Sequence, residues 1–324
     1  MNSSVPNPYD AFSFSTSWNV KRHAVGRDMI DEIRGLGFRR IELNYQVTAQ
    51  HLETIEPMIE SGLIEISSVH HVFPRTDDPE FGPDSLMLGH PDEAMRRQGV
   101  ELLVQSAEYA TRYGAKAVVL HPGEADIGPQ FDAELKRLYR EGLRESEAYA
   151  DTWRRMLARR TEAAAPALRH MRDSLETVCD RLAVRGIHVA IGLETRARCH
   201  QLPTPAEAAE VIAGLAGAPV YLWVDSGHAI IMERMGLYDN TVDMVKYRRL
   251  IYGMHIHDTV GLVDHGCPYV HTQDVPGFER FLPAIAAAEL KVYELKPNCT
   301  PEEIRISVQT LAARLQALQE GAGV

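Results

Sequence analysis

The feature that most constrains this chain is a pairing repeated through its C-terminal half: a short apolar run followed at once by an acid or an imidazole. Residues 187–193 precede Glu194, 220–224 precede Asp225, 250–254 precede His255 and 290–293 precede Glu294. Runs of that length between amphipathic segments read as buried strands. In a (β/α)₈ barrel the C-terminal ends of the strands converge on one mouth, so groups far apart in sequence meet in space. A Glu/Asp/His/Glu set at such a mouth suits a divalent ion of borderline hardness, Zn²⁺ or Mn²⁺.

The same beat runs along the whole chain. Strands are expected at 12–15, 40–43, 64–69, 117–120, 188–193, 220–224, 251–256 and 291–295, and helices at 27–36, 91–113, 163–184, 205–215, 278–288 and 301–319. The expected fold is a (β/α)₈ TIM barrel forming a single domain over 1–324, with an open doubly wound sheet as the fallback. Barrels of this kind fill such a length as one unit. Two stretches exceed an ordinary connection. Residues 71–90, rich in Pro, Asp and Gly, follow strand three and are expected to lie over the mouth as a lid. Residues 128–160 read as a helical hairpin inserted after strand four, its charges a solvated face or, less simply, a contact in a homo-oligomer.

Composition removes several classes of function. A formal net charge of −11 argues against broad binding to nucleic acid or anionic lipid. The four cysteines (Cys179, Cys199, Cys267, Cys299) have no paired spacing that reads as a zinc knuckle, redox motif or disulfide framework. The N-terminus lacks the basic segment and apolar run of a secretory signal, and no apolar stretch approaches the ~18 residues of a membrane span. The expectation is a cytoplasmic enzyme.

Fourteen histidines are many, and their placement is uneven. His70 and His71 end strand three, His121 ends strand four, His228 follows Asp225 by three, His255 and His257 flank Ile256, and His265 follows Asp264. Any one of them is most simply a hydrogen-bonded structural group; so many at expected strand ends point to a site. His255 and His257 alternate along a strand and so share a face. One can ligate while the other, or Asp258, supports it. Arg196 and Lys296, each two residues beyond a glutamate, are candidates for binding a substrate anion or hydroxyl, with ion pairing as the plainer role. Glu42 reads as an inward hydrogen-bonding group, and Trp18, Tyr45 and Phe73 as a possible apolar wall.

The segments GFRRIEL, GAKAVVLHPG, GIHVAIGLETR, YLWVDSGHA, YGMHIHDTVGLVDH and VYELKP, in this order from about Gly37 to Leu311, resemble the xylose-isomerase-like barrel superfamily. That superfamily includes sugar-phosphate isomerases and epimerases and the endonuclease IV type of DNA repair enzyme. Resemblance to the sugar branch implies one metal held by Glu194, Asp225, His255 and Glu294. It also implies that Glu194 and Glu294 are catalytic, moving protons between adjacent carbons of a sugar, sugar phosphate or polyol. Resemblance to the endonuclease branch implies up to three ions and a phosphoester hydrolase, the added ions using His70 or His71, His121, His228 and Asp264 with His265. There the late Asp and His are separated by one residue, whereas here they are adjacent, and adjacent side chains diverge unless the backbone turns sharply. The isomerase or epimerase is the leading expectation and the hydrolase the alternative.

Overall fold

A computed structural model describes residues 7–321 apart from 77, 79–81, 85–87 and 216. Eight strands close a parallel barrel: β1 (Ser13–Ser15), β2 (Arg40–Leu43), β3 (Glu65–His70), β4 (Ala117–Leu120), β5 (Ala190–Glu194), β6 (Val220–Asp225), β7 (Ile251–Ile256) and β8 (Leu290–Tyr293). Each pairs with its neighbours in chain order, and β1 closes on β8 through Ser13↔Val292 and Phe14↔Tyr293. The expected strands all form, with ends displaced by no more than a few residues. Two short antiparallel ribbons decorate the mouth: Gly123–Glu124 with Gln201–Leu202, and Asp258–Val260 with Val263–Gly266.

The helices depart from expectation in two places. Residues 128–160 form the expected pair of helices after strand four, but the second arm is not separate from the helix that follows. They hold α4 (Gln130–Arg140) and the first part of α5 (Glu147–Val184), a helix of 38 residues that runs through Pro166. Ser146 caps α5 by accepting from the Tyr149 amide, so the helix starts 16 residues before the apolar rhythm at 163 suggests. The early turns are not merely solvated either. Tyr149 and Met156 pack with Phe131, Leu135 and Leu138 of α4 and with Ile231, Met232 and Met235 into a second apolar cluster. The other departure is at 278–288, which breaks into α9 (Val275–Glu279) and α10 (Leu282–Ala287) because Pro283 cannot donate into a continuing helix.

Beneath the mouth the barrel is filled, not hollow. Ala117, Val119, Ala190, Trp223, Leu290 and Val292 form the interior layer, and Trp223 is fully buried. The indole fits because two facing positions lack side chains. A Cβ on Gly253 would lie 2.2 Å from Trp223 Cζ3, and one on Gly192 would lie 2.8 Å from Cε3. The ring then meets His255 edge-on, with centroids 5.3 Å apart, so the packed floor supports one of the site's imidazoles.

Gly253→Ala is therefore expected to lower the unfolding free energy by about 1–3 kcal/mol through overpacking. The control is Gly35→Ala on the exposed face of α1 (Gly26–Leu36), where a Cβ meets nothing within 4 Å. That change is expected to be neutral or stabilising by up to about 1 kcal/mol. Urea denaturation of the two variants checks the pair.

Candidate metal centre

Glu194 and Asp225 are the last residues of β5 and β6, His255 is the penultimate residue of β7, and Glu294 follows β8. One ligand atom from each lies within 4.8 Å of the other three. All four are buried, at 1%, 0%, 0% and 5% exposure in that order. Three carboxylates held this close and away from water repel one another unless protons or a cation join them, which makes the group a candidate to hold a metal. Their donor set, three oxygens and one imidazole nitrogen, fits Zn²⁺ or Mn²⁺.

The imidazole presents one nitrogen and not the other. His255 Nε2 lies 3.1 and 3.2 Å from the two oxygens of Glu42. Glu42 is fully buried and also accepts from Ser68 Oγ at 2.8 Å. An ionised carboxylate only accepts, so Nε2 carries the hydrogen and Nδ1 is free to ligate. Nδ1 faces Glu294 at 3.0 Å, Glu194 at 3.4 Å and Asp225 at 3.8 Å. Glu42 thus has the inward hydrogen-bonding role that its strand-end position suggested.

His257 sits on the same strand face but plays a different part. Its Nε2 is 2.7 Å from Asp225 Oδ1, while its Nδ1 accepts the His265 amide at 2.9 Å. Both nitrogens are engaged, and His257 orients Asp225. Asp258 turns elsewhere, accepting from its neighbour Thr259 and from Thr272.

Two further groups of candidates flank the centre. On one side His70 Nε2 and His121 Nε2 lie 3.2 and 3.0 Å from Glu194 Oε2. Arg196 enters this group: one guanidinium nitrogen contacts His121 Nε2 and lies 3.5 Å from Glu194 Oε1, and the other lies 2.7 Å from Asp84. Asp84 also accepts from His121 Nδ1 at 2.9 Å. The loop 71–90 therefore does reach the mouth through Asp84, although much of the expected lid lies outside the described residues. On the other side His228, His257 and His265 gather around Asp225. His228 donates Nδ1–H to the Thr195 carbonyl at 3.0 Å, leaving Nε2 toward Asp264 Oδ2 at 3.7 Å. The adjacent Asp264 and His265 both face inward because His265 adopts φ of 60°. The backbone makes the sharp turn that adjacency demands. Lys296 is tied to Asp264 at 2.5 Å, so it is paired within the protein.

His71 does not belong to the site. Successive strand residues face opposite sides, and with His70 turned to the mouth His71 points out to Ser106 Oγ of α3 (Glu93–Arg112), 2.9 Å away. Burial pushes its pKa down to about 3, which keeps it neutral. Trp18 and Phe73 do not wall the mouth either. Trp18 donates to the Cys299 carbonyl in the core, and Phe73 is fully buried against Tyr109. Of the three aromatics only Tyr45 stands by the site, its ring 5.1 Å from His70 and 6.2 Å from His121. Sequence reasoning missed Asp84 and Thr195. Thr195 accepts the Asp225 amide on Oγ1 at 3.0 Å as well as binding His228.

The charges at the centre are unequal. Burial raises the Glu294 carboxyl most, and Glu194 and Glu42 add to this against His255, so it reaches about 7. Burial alone would lower His255, but the carboxylates of Glu294, Glu42 and Glu194 outweigh it and hold its proton well above the usual range. A metal ion must displace both protons below pH 7 and the His255 proton alone just above it. Affinity for Mn²⁺ should therefore rise with pH, about a hundredfold per unit below 7 and about tenfold per unit just above. Calorimetry in buffers of different ionisation enthalpy counts the protons released. At fixed pH, Glu42→Gln is expected to weaken metal binding about 10–100-fold, while His71→Ala should leave it unchanged.

The profile of the xylose isomerase-like TIM barrel family matches residues 30–305. Among solved structures, a 3-keto-D-glucoside 4-epimerase from E. coli is 17% identical with a TM-score of 0.64, covering 94% of this chain and 99% of its own. An L-ribulose 3-epimerase is 15% identical with a TM-score of 0.61, covering 95% and 93%. A D-allulose 3-epimerase from Methylomonas sp. is 13% identical with a TM-score of 0.60, covering 95% and 96%. No curated protein matches the sequence. At these identities the structures speak for the fold, and the profile for the family: this chain belongs to the xylose isomerase-like TIM barrels.

Proposed function

We propose that the chain is a divalent-metal-dependent isomerase or epimerase acting on a sugar, sugar phosphate or related polyol. The observation that carries this reading is the pair Glu194 and Glu294, from strands on different sides of the mouth, meeting at one cation locus with Asp225 and His255. Similarity of fold to enzymes named as sugar epimerases supports it. A divalent ion bound there would supply Lewis acidity, polarising a substrate carbonyl or hydroxyl oxygen. The protein supplies the proton chemistry. A carboxylate at the reacting carbon can take and return a proton, and Glu294 would be one such group. Glu194, held well below the usual range because His121 and His255 outweigh its burial, stays ionised as the opposing base. Arg196 and Asp84 close one side of the mouth, and a substrate carboxylate or phosphate would compete with Asp84 for the guanidinium.

One observation favours a second reading, a phosphoester hydrolase with two or three ions. His70 and His121 share Glu194, and His228 and His265 share Asp225, so two more clusters adjoin the first. Arg196 weighs against it, because its positive charge already lies against His121 and Glu194 where a second ion would sit.

Metal analysis and isotope exchange separate the two. The isomerase reading expects one ion at the mouth, in the cluster of Glu194, Asp225, His255 and Glu294, and incorporation of deuterium from D₂O into a sugar or polyol carbon. Glu294→Gln should slow that exchange by about 10²–10⁴-fold, the usual contribution of a general base. Two or three ions at the mouth itself, with hydrolysis of a phosphoester and no exchange, would establish the second reading instead.

A further inference from the structure

Outside this centre, three ligands of softer character converge. Cys267 directly follows the ribbon strand Val263–Gly266, His271 lies four residues further on, and Cys299 closes the loop between β8 and α11 (Pro301–Gly321). One ligand atom from each lies within 4.8 Å of the other two. Both cysteines are buried and neither forms a disulfide. The cluster uses no residue assigned to the catalytic reading, so its fate does not depend on that reading.

The imidazole is held in one orientation by hydrogen bonds at both nitrogens. His271 Nε2 lies 3.2 Å from Glu303 Oε1. Because the ionised carboxylate only accepts, Nε2 carries the hydrogen and Nδ1 keeps its lone pair. Nδ1 faces the cysteine side, where its lone pair accepts the Cys267 amide at 3.0 Å, a hydrogen bond that an ion would replace. Glu303 is fixed in turn by the amide of Thr300 at 2.7 Å and its hydroxyl at 2.9 Å. A carboxylate behind one nitrogen with the other aimed at ligands is the arrangement that orients metal-binding histidines.

We infer that Cys267, His271 and Cys299 form a second metal site, for a thiolate-preferring ion of which Zn²⁺ is the first candidate. Binding deprotonates both thiols, releasing two protons to solvent and leaving two thiolates to balance the ion's charge. The fourth position opens beside the partly exposed His271 and would hold water. The site would join two segments that serve the mouth. Cys267 continues the ribbon that carries Asp264 and His265, and Cys299 lies in the loop that carries Glu294 and Lys296. These segments already touch, since the His265 carbonyl accepts the Lys296 amide at 3.1 Å and faces Cys299 Sγ at 3.5 Å.

The test is addition of Co²⁺ to reduced, metal-free protein under argon. Thiolate ligation gives a sulfur-to-cobalt charge-transfer band in the near ultraviolet, which a carboxylate and imidazole site does not. The band should appear with one equivalent of thiolate-bound Co²⁺ per chain, persist in Glu194→Gln and disappear in Cys267→Ser and in Cys299→Ser. Should the serine variants fail to fold, X-ray absorption on zinc-loaded Glu194→Gln protein reads the same site, with two sulfur ligands expected at about 2.3 Å. Absence of the band and of sulfur scattering would overturn the inference. So would a Cys267–Cys299 disulfide detected by mass spectrometry in freshly purified protein, which would make the pair a redox element instead.

Discussion

The mouth of this barrel is organised by the burial of like charge. Glu194, Asp225 and Glu294 are brought out of water to one point, and what surrounds them manages the repulsion. Glu42 fixes the His255 tautomer, and His257 and the Thr195 hydroxyl fix Asp225 from behind. Arg196 lends positive charge on the open side. None of these groups lies close to its partner in sequence except Arg196, so the barrel's closure is what makes the arrangement possible. A half-formed barrel would hold neither the ligands nor the groups that orient them.

That dependence reaches down into the packed interior. His255 stands edge-on over Trp223, and the indole is locked by the strands that flank it at Gly192 and Gly253. A cluster of side chains converging on one point gains from a floor that cannot repack, because looseness beneath it is felt directly in their spacing. Stability of the fold and geometry of the site are here one property.

Much of this was legible in the sequence, for a definite reason. Strand ends in a parallel barrel share a mouth, so the acid or imidazole after each apolar run declares its own location, and Glu194, Asp225, His255 and Glu294 were readable on that ground alone. What was not readable depended on register or on irregular backbone. Choosing between His70 and His71 required knowing that β3 extends to residue 70. Asp84 belongs to a loop with no periodicity, so nothing local announced its contact with His121 and Arg196. The true start of α5 was hidden because its early turns bury their apolar side against α4 and α7 (Ser226–Arg234), not against the barrel.

The left-handed turn at His265 bears on how such a site drifts over evolutionary time. With φ at 60°, β-branched and bulky side chains are strained there, whereas Gly, Asn and Asp are comfortable. Replacements that survive at this position are thereby filtered by backbone conformation before chemistry is tested. Two of the three favoured residues carry a short side-chain oxygen, so loss of the imidazole tends to leave a weaker donor in its place. The rim can therefore change its ligand strength in small steps while the turn that positions it is retained.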